Sequence, residues 1–212
     1  MSVNEFIPTQ QPGAADHAGT AHHESGSTVA ADRAASPQGA PHPAQGEVRH
    51  PTGLDFEYLG ITDTPPTRGE YRATWDHQKQ VHAQVSSHQR PNTVIYVEHD
   101  PVYTAGRRTR PEAYPFDGTP VVAVDRGGEI TWHGPGQLVG YPIVFLPRGI
   151  GVVDYVRRVE EAIIRLLAQY DLHAGRVPGR TGVWFPSDGH GPERKICAIG
   201  IRVSHQTALH GF

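Results

Sequence analysis

Val152, Val156, Val159, Ile163, Leu166, Leu167 and Tyr170 recur at steps of three or four, with charged residues between them. That spacing predicts an amphipathic helix from about Val153 to Asp171. Tyr71, Trp75, Val81 and Val85 repeat at near-helical spacing within Glu70 to Gln89, and Pro91 closes this second predicted helix. Short β-branched runs behave differently. Thr93 to Glu98 and Val121 to Val124 read as strands, as do Ile130 to Trp132 and Leu138 to Phe145 on either side of a Gly-Pro-Gly turn at Gly134 to Gly136. Thr181 to Phe185 and Lys195 to Val203 follow as strands around a Pro186 to Pro192 loop. Ser204 to Gln206 reads as a turn, and Thr207 to Phe212 opens another apolar stretch. Helices interspersed with hairpin-like links predict an α+β fold with a mixed or antiparallel sheet and flanking helices.

The first 52 residues follow no such period. They are Ala, Gly, Pro, Ser, His and Gln with scattered acids and few large apolar side chains, so they cannot bury enough area to offset ordering entropy. They read as a disordered tail before a folded domain over residues 53–212. His17, His22, His23, His42 and His50 lie in that tail and read as solvated rather than metal-binding. Net charge is −3, which argues against nucleic-acid binding, and no apolar run is long enough to span a bilayer. Cys197 is the single cysteine, so a disulfide framework is ruled out and a cytoplasmic setting is expected. Only Lys79 and Lys195 are lysine, against 19 basic residues in all.

The densest candidate chemistry lies between Asp125 and Tyr141, where five of seventeen residues are glycine. Glycine lets the backbone approach a ligand closely, and Arg126, Thr131, His133 and Gln137 add polar groups to that frame. On a strand, Thr131 and His133 share one face and Trp132 takes the other. The plainer reading is a tight hairpin with a satisfied histidine. Neither a phosphate loop nor a dinucleotide loop matches. A second stretch, Lys195 to Val203, sets Lys195, Cys197 and Ile199 on one strand face, where an ammonium would favour a nearby thiolate. Its plainer reading is a lysine reaching solvent and a small buried thiol. The third, His99 to Arg110, reads as a loop whose arginines meet solvent, or else a phosphate or an acidic partner surface.

Taken together, Glu98 to Arg108 (E-H-D-P-V-Y-T-A-G-R-R), Arg126 to Pro142 (R-G-G-E-I-T-W-H-G-P-G-Q-L-V-G-Y-P) and T-G-V-W…K-I-C-A-I-G-I-R resemble the lipoyl (octanoyl) transferase family over about Leu54 to Phe212. The resemblance implies a fold like the catalytic domain of biotin and lipoate ligases. It implies an acyl pocket formed by Arg126, Gly127, Gly128, Glu129, Ile130, Thr131, Trp132 and His133, by Ala198, Ile199 and Gly200, and by Gly211 and Phe212. Lys195 would lower the nucleophile's pKa, and His133 would lie beside the reacting thioester. The implied reaction moves an octanoyl group from acyl carrier protein, through a cysteine thioester, to a lysine of lipoyl domains. Those belong to 2-oxoacid dehydrogenases and the glycine cleavage H protein. No cofactor, metal, nucleic acid or membrane partner is implied. The family nucleophile would sit in a Pro-Cys-Gly-like segment after the His-Gly-Phe motif, and no such residue occurs here. The sequence is therefore expected to be a fragment or a truncated product, with an unpaired sheet edge where a further strand is missing. The third reading lets Cys197 substitute. The alternatives are an ATP-dependent lipoate or biotin ligase and a non-catalytic acyl- or carrier-binding module.

Overall fold

A computed structural model describes residues 53–189 and 191–212. The tail read over residues 1–52 lies outside them. The central feature is a mixed sheet. Strand β1 (Leu54–Leu59) runs parallel to β2 (Asn92–Val97), and β2 runs antiparallel to β6 (Val139–Ile143). On the far side of β6 lies β11 (Thr207–Gly211), which forms an antiparallel hairpin with β10 (Gly200–Ser204). Hydrogen bonds at both ends lay β11 against β6: Gly140 and Phe212 exchange a pair at 2.9 Å, and Ala208 N–H donates to Val144 O at 2.9 Å. That register puts His210 opposite Pro142. Proline has no N–H to give, so the ladder is interrupted there, and His210 takes a left-handed conformation with φ of 63°. The hydroxyl of Tyr155 donates instead to the Pro142 carbonyl at 3.4 Å.

Helices cover the two faces. Helix α1 (Tyr71–Ser86) is started by Glu70, whose carboxylate accepts the N–H groups of Arg72 and Ala73 at 2.8 and 2.7 Å. Its Val81 and Val85 pack on Ile95, Val97, Val139, Tyr141, Ile143 and Leu209. Alternate residues serve the opposite face, where Tyr155 of α2 (Val152–Ala168) joins Ile199, Ile201 and Ala208. Strand alternation thus supplies two cores from one sheet. Helix α2 is only half-buried despite its clear period, and Leu166 stays 47 % exposed. What anchors it is Glu160, fully buried, which accepts from Arg157 (2.6 Å), from Arg176 (3.0 Å) and from the Gly182 N–H (3.0 Å).

Two smaller sheets complete the domain. In one, β3 (Val102–Ala105) lies between β4 (Val121–Ala123), parallel, and β5 (Ile130–His133), antiparallel. In the other, β8 (Arg180–Phe185) lies between β7 (Gly175–Val177) and β9 (Arg194–Cys197). The α+β class and mixed sheet match the sequence expectation, and both helices form within a few residues of it.

Three expectations change, and two strands had not been expected. Strands β5 and β6 do not form a hairpin: His133 pairs with Val102 and Val139 with Val97, so the Gly134 to Gln137 turn hands the chain from one sheet to another. Lys195 to Val203 is not one strand, because the chain leaves β8 after Cys197 and re-enters at Gly200 beside β11. The His99 to Arg110 loop contains β3, whose ladder is filled by partners distant in sequence. Strands β1 and β7 had no sequence signal of their own.

Candidate active site

The small sheet of β3, β4 and β5 builds the polar part of the site. Past β4 the chain turns through Asp125 to Gly128 and is tied to the segment that follows β3: Arg107 N–H donates to Arg126 O (3.2 Å) and Arg108 N–H to Gly128 O (3.0 Å). Inside this turn Arg126 is buried, 7 % exposed. Its guanidinium donates to Thr104 O and Thr104 Oγ1, both at 2.8 Å, and to Gly127 O at 2.9 Å. No carboxylate bonds it among the described residues. The adjacent Asp125 is taken by Arg202 and by His210 Nε2–H, the latter at 2.7 Å. Burial lowers the Arg126 pKa, but a guanidinium starts so high that it stays charged. The site therefore holds a buried positive charge stabilised only by neutral acceptors. Tyr71 and Tyr141 face it as neutral phenols, their pKa values pushed up by burial.

The histidine tautomers follow from their partners. His99 Nδ1–H donates to Gly69 O (2.8 Å), since a carbonyl only accepts; its Nε2 then accepts from the Tyr141 hydroxyl (2.8 Å). His133 Nδ1–H donates to Gln137 Oε1 (2.8 Å), and Nε2 accepts from the Thr104 hydroxyl (3.3 Å), which itself accepts from Arg126. A chain of polar contacts thus runs Arg126, Thr104, His133, Gln137. Burial, opposed by the Gln137 bond and reinforced by His99 and Arg126, depresses the His133 pKa to about 4. His99 and His210 are lowered for the same leading reason.

This arrangement makes the fold acid-sensitive. Between pH 6.5 and about 4 the unfolded chain binds a proton at His133 that the folded chain refuses. Stability is therefore full above the unfolded value and falls as pH drops through that window. Taking the chain from pH 7.5 to pH 5 is expected to remove about 2 kcal/mol through His133 alone. Urea unfolding at the two pH values measures the loss. His133→Gln should flatten part of the slope, and equal stability at both values would contradict the buried neutral imidazole.

Between the two sheets lies a cavity of about 100 Å³. Of the residues expected to form it, Arg126, Thr131, His133, Ala198, Gly200, Gly211 and Phe212 line it. Thr131 and His133 share the cavity face of β5, while Trp132 points away and packs over Gly134. Gly127, Gly128, Glu129, Ile130 and Ile199 do not line it, and Gly127 and Glu129 are exposed. Lys195 lies outside the lining, with its Nζ 4.5 Å from the centre of the Trp184 ring. Cys197 does line the cavity, but burial pushes its pKa up to about 12 against the pull of Lys195. It is a protonated thiol at neutral pH, directed at the Ala198 carbonyl (3.7 Å). Tyr71, Tyr141 and His210 also line the cavity and were not singled out from the sequence. Tyr141 and His210 stand in the quoted Gly-Tyr-Pro and His-Gly-Phe stretches, but only tertiary contacts show their role.

Residues 70–212 match the model of the lipoyl protein ligase A/B catalytic domain. The chain belongs to that family. Among family relatives, the octanoyltransferase of Cutibacterium acnes is 83 % identical over 168 residues, covering 79 % of this chain and 62 % of that protein. The octanoyltransferase of Salinispora tropica is 56 % identical over 142 residues, with 67 % of each chain covered. The chain thus spans about 62 % of the length of its Cutibacterium relative. The family fold is equally clear in solved structures. A bi-partite lipoate protein ligase from Thermoplasma acidophilum superposes with a TM-score of 0.51 at 16 % identity, covering 74 % of this chain and 60 % of its own. A lipoate-protein ligase A bound with ATP gives 0.54 at 15 % identity, over 74 % and 63 %. Among the described residues no helix is long and apolar enough to cross a membrane.

Proposed function

We propose that this chain forms the acyl site of an octanoyltransferase that carries an octanoyl group from acyl carrier protein to a lysine of lipoyl domains. The observation that carries the reading is the cavity itself. It combines apolar walls at Ala198, Val139 and Phe212 with one buried, unneutralised cation at Arg126 and a neutral imidazole at His133. Apolar walls suit an alkyl chain, and a fixed positive charge suits the oxygen on which negative charge develops when a thioester is attacked. The relatives' activity supports the same assignment.

In the proposed reaction a thiolate attacks the octanoyl thioester carbonyl, and the carrier's thiol leaves. The acyl group is then held as an enzyme thioester. A lipoyl-domain amine displaces the enzyme thiol, losing a proton as the amide forms. Lys195 favours the thiolate, and His133 lies beside the reacting carbonyl. Cys197 is not assigned the nucleophile's role, since its thiol is buried and protonated. The partners are octanoyl-acyl carrier protein and lipoyl domains of 2-oxoacid dehydrogenases and glycine cleavage H protein, in the cytoplasm.

Two measurements test this. Protein isolated from its source, its intact mass set beside 23.1 kDa, is expected to octanoylate a lipoyl domain without ATP. The 212-residue chain is expected to bind octanoyl-acyl carrier protein more tightly than the deacylated carrier and to take no acyl group on Cys197. Pyrophosphate release from ATP and free octanoate would replace this reading with the ligase one. Equal affinity for acylated and deacylated carrier would overturn the acyl site.

A further inference from the structure

The ammonium of Lys195 has an unusual setting. It makes no ion pair or hydrogen bond among the described residues, and the group it does meet is the Trp184 ring, 4.5 Å from centroid to Nζ. The cross-strand register makes this contact, because Lys195 pairs with Trp184 on β9 and β8. Gly182, with φ of 110°, lies beside the stem: a Cβ there would collide with the Cys197 carbonyl and meet Lys195 Cδ and Cε at an ordinary contact distance of 3.5 Å. The other lysine is a built-in contrast. Lys79 lies 4.0 Å over the Trp75 ring but is also paired with Asp76 at 2.9 Å.

An aromatic face attracts a cation without neutralising it. A carboxylate partner would bind the ammonium harder and cancel its field. Other charged or titratable groups facing Lys195 are Glu129, Arg180 and Cys197. Arg180 approaches the same ring at 5.3 Å and is paired with Glu193. Lys195 is exposed overall, and partial desolvation of its ammonium, the leading influence on its pKa, disfavours the charged form.

We propose that Trp184 is the positioning residue of Lys195, holding its ammonium charged, desolvated on one side and unpaired, so that the charge is free for an anion formed beside the cavity. The inference rests on the octanoyltransferase reading for the identity of that anion, the thiolate. The perch itself stands on the geometry.

Because the sequence holds two lysines, reductive ¹³C-methylation followed by NMR titration reports Lys195, Lys79 and the N-terminal amine as separate signals. In the wild-type chain both lysine signals are expected to be shifted upfield by the rings beneath them. In Trp184→Leu the Lys195 signal should lose its ring shift and its pKa should fall by about half a pH unit, while Lys79 stays unchanged as a reporter of the fold. Trp184→Phe should restore most of both effects. A Lys195 signal with no ring shift in the wild type, or with the same pKa in Trp184→Leu, would overturn the proposal. That outcome is independent of octanoyl transfer, which separately tests the function.

Discussion

Gly211→Ala is expected to destabilise the fold by about 3 kcal/mol, at the upper end for overpacking, because what it strikes is backbone and ring. A Cβ at Gly211 would come within 2.6 Å of Pro142 Cδ and closer still to the Gly140 carbonyl oxygen. Neither obstacle can rotate away. The relation is reciprocal, since a Cβ at Gly140 would meet the Phe212 ring at 2.5 Å. The two glycines let β6 and β11 close on each other at the end where both line or border the cavity. Urea unfolding measures the effect. Gly175→Ala, where nothing lies within 4 Å, is the control and should change stability by no more than about 0.5 kcal/mol. An undisturbed Gly211→Ala chain would mean that β11 does not lie against β6.

The second large effect is expected at Arg126. Arg126→Met removes a buried charge of similar length but strands the Thr104 and Gly127 carbonyls that it now satisfies. Leaving those buried neutral acceptors unsatisfied costs about 1–3 kcal/mol. It also removes the only buried cation lining the cavity among the described residues, so the preference for acylated over deacylated carrier should vanish. Arg126→Lys separates the two consequences. It keeps a charge but offers no planar fork, so it should recover part of the acyl preference while still losing stability. Should Arg126→Met bind the acylated carrier as well as the wild type, the cation has no part in substrate recognition.

How much of this was legible in the sequence depended on whether the signal was local. The helices were, because their spacing is a property of the chain alone. Strand β2 was legible for the same reason, being a dense β-branched run. Strand β3 was not, since Val102 to Ala105 is bounded by charged and turn-forming residues and is held by β4 and β5, which follow it in the chain. The break between β9 and β10 lies inside a continuous apolar run. It comes from Gly200 meeting Arg126 and from Ile201 accepting the Gly127 N–H at 3.1 Å, neither of which a strand pattern encodes. In the site, the glycine-rich stretch was readable as a ligand-approaching frame, and Arg126, Thr131 and His133 do come together. His99 and Tyr141 escaped notice because their bond joins residues 42 positions apart. Lys195 was singled out as a charge near a thiol. Its indole partner shows only once β8 and β9 are paired.

The placement of β11 beyond β6 also sets a timetable. During synthesis β6 can pair with β2 as soon as both have emerged, but its other edge stays open while α2, β7, β8 and β9 are made. Only then does β11 arrive to cover it. An open strand edge in a nascent chain invites wrong pairing, and contacts between distant segments slow the search. Refolding from denaturant should therefore be limited by docking of the β10–β11 hairpin, and yield should fall with chain concentration while that edge waits.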